Sequence, residues 1–331
     1  MGLNILVTGA SGFLGSIVVE ELSKNKDYNL ISTGRNKNNL EKLSNLSVIK
    51  QGFLENTNFT NEITKNIDII IHSAALSSPW GKYQDFYNSN ILATQNLLKS
   101  AVKNNVRRFI NISTPSIYFD YKDRFNIKED FLPKKFVNYY AETKYKAEMI
   151  VKEFFQKGLI EALSLRPRAI VGKGDTTIMP RLIKAQKSGK LRVIGDGKNI
   201  LDITSVKNVV YAIDLSIKAS SNALGEAYNI TNDKPILIWE FIDKAFNKLG
   251  LKLNKNSVSF DIMYNIAKVL EELSKFTNRE PVLTCYGVGA LSKSMTLNID
   301  KAKSLLKYKP IQSNEDALNE FVNWYKENNY L

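Results

Sequence analysis

A glycine-rich loop directly follows the first apolar segment of the chain. The segment "NILV" leads into "TGASGFLG", where Gly9, Gly12 and Gly15 are spaced three residues apart, and helical periodicity follows. A glycine loop between a buried strand and a helix is typical of a dinucleotide site, because glycines permit the turn and the close approach of a pyrophosphate. The N-terminus of the helix would offer free N–H groups to the phosphates. A plain glycine-rich turn is the alternative, and a P-loop is excluded because the sequence has no G-x-x-x-x-G-K-[ST] run.

Apolar strands alternate with amphipathic helices through the first half of the chain. The predicted strands are "NILVTG", "YNLISTG", "LSVIKQG", "IDIIIHSAA", "VRRFINIST" and "EALSLRPRAI". The predicted helices cover residues 13–22, about 84–103 and about 138–156. This alternation indicates βαβ units around a parallel sheet that is buried on both faces and binds ligands at its carboxyl edge. The predicted fold class is therefore α/β, a Rossmann-type doubly wound parallel sheet.

The pattern changes after Pro167. Residues 169–201 are glycine-rich and mixed, a late strand is predicted within residues 226–233, and the remainder is mostly helical. We predict a dinucleotide-binding domain built from residues 1–168 and 203–232. A smaller, mostly helical substrate-binding domain is predicted from residues 169–202 and 233–331. The 331 residues suffice for both.

The rare residue types and the charge exclude several classes of function. Cys285 is the single cysteine and His72 the single histidine, which rules out a disulfide framework and leaves little room for a metal site or a Ser-His-Asp triad. We expect no metal, and we expect a cytoplasmic protein because no targeting segment or long apolar run is evident. The net charge of +13 comes from lysines spread along the whole chain, so we expect no nucleic-acid partner, although anionic ligands would be favoured.

Further motifs follow the glycine loop in a fixed order. They are "HSAA" (72–75), "NSNILATQNLL" (88–98), "ISTPSIY" (112–118), "YAETK" (140–144), "LRPRAIVGKGD" (165–175) and "GDGKNILDITSVKNVV" (195–210). Together they resemble the extended short-chain dehydrogenase/reductase family, which is also the NAD-dependent epimerase/dehydratase family, over nearly the whole chain. The segments "SSPWGKYQDFY", "STPSIYF" and "PRLIKAQKSGKL" resemble its 3β-hydroxysteroid dehydrogenase-like branch. The resemblance implies an NAD(P)-dependent oxidoreductase that forms a homodimer through the helices near 84–103 and 138–156.

The same resemblance implies a set of cofactor-binding residues. They are Gly9, Ser11, Gly12, Phe13, Leu14, Gly15, Arg35, Asn36, Ala74, Ala75, Asn90, Tyr140, Lys144 and Pro167. NAD enzymes usually place an acidic residue at the end of the second strand, where this chain has Gly34 followed by Arg35. We therefore predict NADP rather than NAD, with Arg35 as a solvated loop residue the alternative. The family often has a glycine-aspartate pair near the adenine, and this chain departs from it with Gly52 and Phe53.

Tyr140 and Lys144 lie four residues apart on a predicted helix, so both side chains point from one face. A free phenol has a pKa of about 10, and a neighbouring ammonium together with an oxidised nicotinamide would lower it. Tyr140 could then exchange a proton with a carbonyl or alcohol oxygen. Thr114 matches the family's Ser/Thr that orients this oxygen, and Ser113 and Ser116 are the alternatives.

Other interpretations of these residues stay open. Tyr118 and Lys122 have the same spacing, but no amphipathic run follows them, so we expect a loop there. Tyr140 itself could be a core or interface tyrosine. For His72, a structural or cofactor-lining role is favoured over proton transfer.

The substrate is predicted to be hydrophobic. Nucleotide-sugar members of the family commonly use an arginine to hold the diphosphate at the position of Leu201, which cannot pair with a phosphate. The candidate substrate residues are Trp80, Ser116, Phe119 and Arg181. The predicted reaction moves hydride between nicotinamide and a secondary alcohol or ketone of a steroid-like or long-chain β-keto substrate. The alternatives are a nucleotide-sugar epimerase or dehydratase, which Arg181 or Arg192 could support as phosphate anchor, and a non-catalytic NAD(P)-binding sensor.

An apolar stripe runs along the predicted helix at residues 260–276. Most such stripes are packing surface. A lid over the substrate and peripheral contact with a membrane are the alternatives.

Overall fold

The computed structural model describes residues 2–277 and 279–328. Its strands are β1 (Leu3–Thr8), β2 (Tyr28–Gly34), β3 (Val48–Gln51), β4 (Ile69–His72), β5 (Arg108–Ile112), β6 (Arg124–Ile127), β7 (Glu161–Pro167), β8 (Ile170–Val171), β9 (Val193–Ile194), β10 (Ile200–Leu201), β11 (Thr204–Ser205), β12 (Ala227–Ile230), β13 (Ile236–Leu237), β14 (Ser257–Val258) and β15 (Met295–Leu297). Its α-helices are α1 (Phe13–Leu22), α2 (Lys37–Glu41), α3 (Thr57–Ile63), α4 (Tyr83–Phe86), α5 (Ala93–Lys103), α6 (Tyr139–Gln156), α7 (Met179–Lys187), α8 (Val206–Ile217), α9 (Ile238–Lys248), α10 (Phe260–Thr277), α11 (Cys285–Ser292), α12 (Asp300–Leu305) and α13 (Asn314–Glu327).

Seven parallel strands form the central sheet, in the order β12-β7-β5-β4-β1-β2-β3. The order reverses at β1, whose last residue, Thr8, is in register with Thr33 on one side and with His72 on the other. A reversal of strand order opens a crevice at the carboxyl edge, because the connections on its two sides leave in opposite directions. The predicted doubly wound sheet is confirmed, and its crevice lies beside the glycine loop.

The central strands consist of continuous apolar runs because both faces of the sheet are buried. On β4, Ile69 and Ile71 enter one hydrophobic cluster and Ile70 enters another on the opposite face, as the two-residue period of a strand requires. Helices α1, α8 and α12 contribute to the first cluster, and α3, α5 and α6 contribute to the second. The predicted helix at 13–22 is confirmed, and the one at 138–156 begins at Tyr139, where Asn138 caps it by accepting a hydrogen bond from the Ala141 N–H (2.9 Å).

The helix predicted at 84–103 contains a turn that the sequence did not indicate. Residues 83–86 and 93–103 are α-helical, but Tyr87–Leu92 between them form a π-helical turn that includes Asn90. One turn of this kind inserts an extra residue and changes the direction in which neighbouring side chains point. Asn90 is thereby buried within the helix.

A third hydrophobic cluster is formed mainly by the C-terminal half of the chain. It surrounds a small sheet of order β13-β10-β15-β6, together with α9, α11 and α13. The division into two domains stays a prediction, and two elements cross its boundaries. Strand β6 pairs with β15, and Ala302 of α12 packs into the first cluster of the central sheet. None of the helices in the described part of the chain is long and apolar enough to cross a bilayer.

Candidate active site

The glycine loop packs tightly between β4 and α1. Gly9 has a φ of +69°, and a Cβ built there would lie 2.7 Å from the backbone nitrogen of Ala74. A Cβ at Gly15 would overlap the carbonyl oxygen of Gly9. Both positions therefore need glycine, the first for its backbone conformation and both for space.

The start of α1 leaves its backbone donors without a side-chain cap. The N-cap residue Gly12 is exposed, has an extended backbone (φ −101°) and provides no capping side chain. Its N–H donates to the Gly9 carbonyl at 2.9 Å, which shapes the turn before the helix. The free N–H groups and positive end of a ten-residue helix thus meet a glycine-lined surface, and this donor set fits the pyrophosphate of a dinucleotide.

The end of β2 lies against the same loop. A Cβ at Gly34 would lie 2.5 Å from Ser11 Oγ, so an acidic side chain there would displace Ser11. Arg35 is exposed, and Asn36 caps α2 by accepting a hydrogen bond from the Asn39 N–H at 3.1 Å. Asn39 in turn donates to the Ser11 carbonyl at 3.1 Å. Arg35 and Asn36, which are predicted to lie near the ribose 2′ position of the cofactor, therefore form one surface with the glycine loop.

His72 links three elements through its ring nitrogens. The Thr94 hydroxyl donates to the Asn90 carbonyl at 2.6 Å. The Thr94 oxygen therefore accepts the hydrogen bond from His72 Nε2, which lies 2.9 Å away. His72 Nδ1 then accepts from Thr8 Oγ1 at 2.8 Å, and Thr8 Oγ1 accepts from the Ala74 N–H at 3.2 Å. Burial, with Lys144 nearby, lowers the pKa of His72 to about 3, so the ring is neutral. This geometry fits the structural or cofactor-lining role expected for His72, which stays a prediction.

Asn90 fixes the loop that follows β4. Its side-chain oxygen accepts from the Leu76 N–H at 2.7 Å, and its amide nitrogen donates to Thr143 Oγ1 at 3.0 Å. Thr143 precedes Lys144 on α6, so the loop is tied to the helix that carries Tyr140. The π-helical turn is what aims Asn90 at both partners.

The predicted catalytic residues come together at the end of β5. Lys144 Nζ donates to the Ile112 carbonyl at 2.6 Å, and Lys144 is 3% exposed. The phenol of Tyr140 interacts with the hydroxyls of Thr114 and Ser77. The structure thus brings Tyr140, Lys144 and Thr114 to one place, whereas Tyr118, of the alternative pair, ends a short 3-10 helix and is fully buried.

Burial shifts the pKa values of this group. Burial raises the pKa of Tyr140 and Tyr286 adds to the rise, while the hydroxyls of Ser77 and Thr114 act in the opposite direction. The predicted lowering by the Lys144 ammonium together with an oxidised nicotinamide stays a prediction. Burial also lowers the pKa of Lys144 to about 8, although Glu148 raises it. Tyr140 holds its proton at neutral pH.

A chain of hydroxyls continues from Thr114 to the C-terminal half. Thr114 Oγ1 donates to Ser116 Oγ at 3.0 Å, and Ser116 Oγ lies 2.7 Å from Tyr286 Oη on α11. The Tyr286 ring packs edge-on against Phe119, whose ring centroid is 5.6 Å away. Sequence reasoning missed Tyr286, because it lies far along the chain in a helix that carries no motif. It also missed Ser77, although Ser77 directly follows the loop that Asn90 fixes.

The other predicted residues are placed less uniformly. Trp80 is half-buried in a loop whose Pro79 carbonyl lies 3.5 Å from the Asn138 amide nitrogen, at the start of α6. Pro167 is the buried last residue of β7. Arg181 is exposed on α7 and pairs with Glu280 at 2.9 Å, and no contact joins it to the Tyr140 group in the described residues. In that part of the chain no cluster of three His, Cys, Asp or Glu side chains could hold a metal ion.

Comparison with known families decides the class of protein. The family model described as "NAD dependent epimerase/dehydratase family" matches residues 5–231, which include the glycine loop, the Tyr140 group and all of the central sheet except the first two residues of β1. The chain belongs to this family. The resemblance to extended short-chain dehydrogenases/reductases and the expected class, an NAD(P)-dependent oxidoreductase, are thereby confirmed.

Relatives of this family member cover most of its length. It is 32% identical to the uncharacterized protein YbjS of Escherichia coli, over 99% of both chains. It is 32% identical to a 3beta-hydroxysteroid-dehydrogenase/decarboxylase of Arabidopsis thaliana, over 77% of this chain and 61% of that protein. A 2-alkyl-3-oxoalkanoate reductase of Shewanella oneidensis is 27% identical over 94% of this chain and 84% of its own.

A solved structure supports the fold of this family member. The UDP-glucuronic acid 4-epimerase of Bacillus cereus in complex with NAD superposes with a TM-score of 0.77 at 25% identity, over 98% of this chain and 99% of that one.

Proposed function

We propose that the chain is an NADP(H)-dependent reductase that converts a ketone of a hydrophobic substrate to a secondary alcohol. The observation that carries this proposal is the position of the Tyr140 phenol beside the oriented Thr114 hydroxyl. A ketone becomes an alcohol when its carbon gains a hydride and its oxygen gains a proton. A bound nicotinamide would supply the hydride. The raised pKa of Tyr140 keeps on this side chain the proton that the oxygen needs.

The neighbouring residues orient the reaction. The Ser116 N–H donates to Thr114 Oγ1 at 3.2 Å, and Thr114 Oγ1 donates onward to Ser116 Oγ, so the hydroxyl that faces Tyr140 has a fixed direction. The Lys144 ammonium, held by the Ile112 carbonyl, places a positive charge one helical turn from the phenol. This charge stabilises the phenolate that remains after proton transfer. Tyr286 would position Ser116 from the other side.

The dinucleotide would be held by the glycine loop and the N-terminus of α1. At the 2′ position of its ribose we propose a phosphate rather than a hydroxyl, because no carboxylate stands at Gly34 and the Arg35 guanidinium is free to pair with a dianion. Phe53 is 58% exposed after β3, and the Gly52 N–H donates to the Gly34 carbonyl at 3.2 Å. Phe53 could therefore stack on the adenine where the family usually has an aspartate.

Arg35→Ala should weaken NADPH binding by about 10-fold and leave NADH binding unchanged, because it removes one charge-assisted contact to the 2′-phosphate. Dissociation constants for both cofactors, measured by fluorescence titration, test this prediction. Arg107→Ala is the matched control, because Arg107 is also an exposed arginine. It lies just before β5, at the amino-terminal ends of the parallel strands, where it pairs with Glu161. Equal losses for NADPH and NADH in Arg35→Ala would contradict the assignment.

The substrate side is aromatic, and an apolar residue stands at the position where nucleotide-sugar members have a diphosphate anchor. Phe119 is 4% exposed and packs edge-on against Tyr121 at 5.1 Å, next to Tyr286. Leu201, which stands where nucleotide-sugar members have an arginine, is buried in β10. Together with the steroid dehydrogenases and oxoalkanoate reductases among the relatives, these residues support a steroid-like or long-chain β-keto substrate.

The second candidate function is a nucleotide-sugar epimerase or dehydratase. It is favoured by the similarity to the UDP-glucuronic acid 4-epimerase structure. It needs a phosphate anchor in the C-terminal half, and Arg181 is engaged there with Glu280. The third alternative, a sensor without turnover, leaves the Tyr140 group without a task. The homodimer and the cytoplasmic location stay predictions.

Oxidation of NADPH with a panel of ketones tests the proposal. We expect turnover with steroid ketones or long-chain β-keto acids and none with nucleotide-4-keto sugars. Turnover confined to the nucleotide sugars would replace the leading function by the second candidate. Cofactor binding with no turnover on any ketone would favour the sensor.

A further inference from the structure

Helix α10 presents an apolar stripe to solvent. Ile262, Ile266, Val269, Leu273 and Phe276 follow one another at alternating steps of four and three residues, and they are between 46% and 86% exposed. Val282, just beyond the helix, is 76% exposed. Side chains at this spacing lie on one face of a helix. The stripe is thus a continuous exposed surface, unlike single apolar residues scattered over a protein.

The opposite face of α10 packs toward the candidate active site. Tyr264 meets Tyr121 edge-on at 5.2 Å, and Glu271 Oε1 accepts from the Cys285 N–H, the first residue of α11, at 2.8 Å. Helix α11 carries Tyr286, which reaches Ser116. The apolar stripe is therefore the outer surface of the elements that cover the substrate side.

A basic segment contacts the residues that flank this helix in sequence. Residues 181–192 contain five cations and no anion. In the part of the chain that the structure describes, Lys184, Lys187 and Lys190 form no ion pair. Arg181 pairs with Glu280 beyond the end of α10, and Gln186 Nε2 donates at 2.7 Å to the Lys252 carbonyl before its start. The segment thus contacts the chain both before and after α10.

We propose that α10 and the basic segment together dock on the surface of an anionic phospholipid bilayer. The stripe would insert among the acyl chains near the headgroups, and the unpaired lysines would meet the lipid phosphates. A second copy of the chain is a poorer occupant, because pairing this face with itself would bring two basic segments and two net charges of +13 together. The docking itself does not depend on the proposed reaction.

Sedimentation with lipid vesicles tests this proposal in the full chain. We expect the wild type to bind vesicles of phosphatidylcholine and phosphatidylglycerol in equal parts, and to bind pure phosphatidylcholine more weakly. The double variant Ile266→Glu/Leu273→Glu should lower binding to the mixed vesicles by about 10-fold or more. Lys184→Glu/Lys187→Glu should remove the preference for the anionic lipid, so that its binding to the mixed vesicles falls to the level of its binding to pure phosphatidylcholine.

Val48→Glu is the matched control, because Val48 is 60% exposed on β3, at the far edge of the central sheet. It should bind like the wild type. Absence of vesicle binding by the wild type, or equal loss in the control, would overturn the proposal. Sedimentation equilibrium of the protein without lipid distinguishes a bilayer from a second copy of the chain as the occupant of this face. Self-association that Ile266→Glu abolishes, combined with an absence of vesicle binding, would assign the stripe to a protein interface.

Discussion

Tyr140→Phe is expected to lower kcat/KM for ketone reduction by about 1,000-fold, the range of a lost general acid. The substitution removes the proton donor and keeps the ring in place. Cofactor binding should change little, because the glycine loop and Arg35 are untouched. Stopped-flow oxidation of NADPH, with the cofactor dissociation constant measured on the same sample, separates the two effects.

Tyr139→Phe provides the control for this prediction. Tyr139 is the preceding residue on α6, but its side chain is 48% exposed and its ring packs edge-on against Tyr83. Its hydroxyl is not part of the Thr114 group, so the variant should turn over as the wild type does. Undiminished turnover in Tyr140→Phe would remove the catalytic assignment, whatever the substrate.

Lys144→Met is expected to lower kcat by about 100-fold, because it deletes the charge that stabilises the Tyr140 phenolate. Folding should survive, since Glu148, one turn further along α6, remains paired with the buried Arg166. Lys146→Met is the control on the same helix: Lys146 is exposed and pairs with Glu142, so its loss should leave kcat unchanged. A similar loss in both variants would point to a general effect on α6.

The pH dependence provides a second measure of Lys144. Its pKa of about 8 means that the side chain is a cation below pH 8 and loses its charge above it. The rate of reduction in the wild type should therefore fall as the pH rises through about 8, whereas an unburied lysine would keep its charge to about pH 10. The residual rate of Lys144→Met should not show this decrease. A wild-type profile that is flat up to pH 10 would exclude a protonated Lys144 as the source of the effect.

The fold could be predicted largely because its determinants are local. The glycine loop requires glycine at Gly9 for its positive φ and at Gly15 to clear the Gly9 carbonyl, and both requirements arise within the loop itself. The run Ile69–Ile71 has no alternation, and a strand buried on both faces needs none. Such patterns extend over a few residues and do not depend on distant parts of the chain.

The rest depends on contacts between distant residues. Strand β6 pairs with β15, and Arg124 is in register with Met295. No local pattern in the sequence indicates this pairing. Tyr286 joins the site only because α11 packs over Ser116. The anchoring of Lys144 depends on such a contact as well, because spacing on a helix places Lys144 near the phenol but does not show the Ile112 carbonyl that holds the ammonium.

The neutral imidazole at the base of the crevice simplifies the interpretation of any rate profile. A pKa near 3 leaves this ring uncharged throughout the physiological range, and the chain has no other histidine. Among the protein's side chains, an inflection in activity between pH 5 and 7 would thus have to come from a carboxyl group. Asp202, whose pKa burial raises to about 6, is such a group, so an acidic limb would report on the C-terminal half of the molecule rather than on hydride transfer.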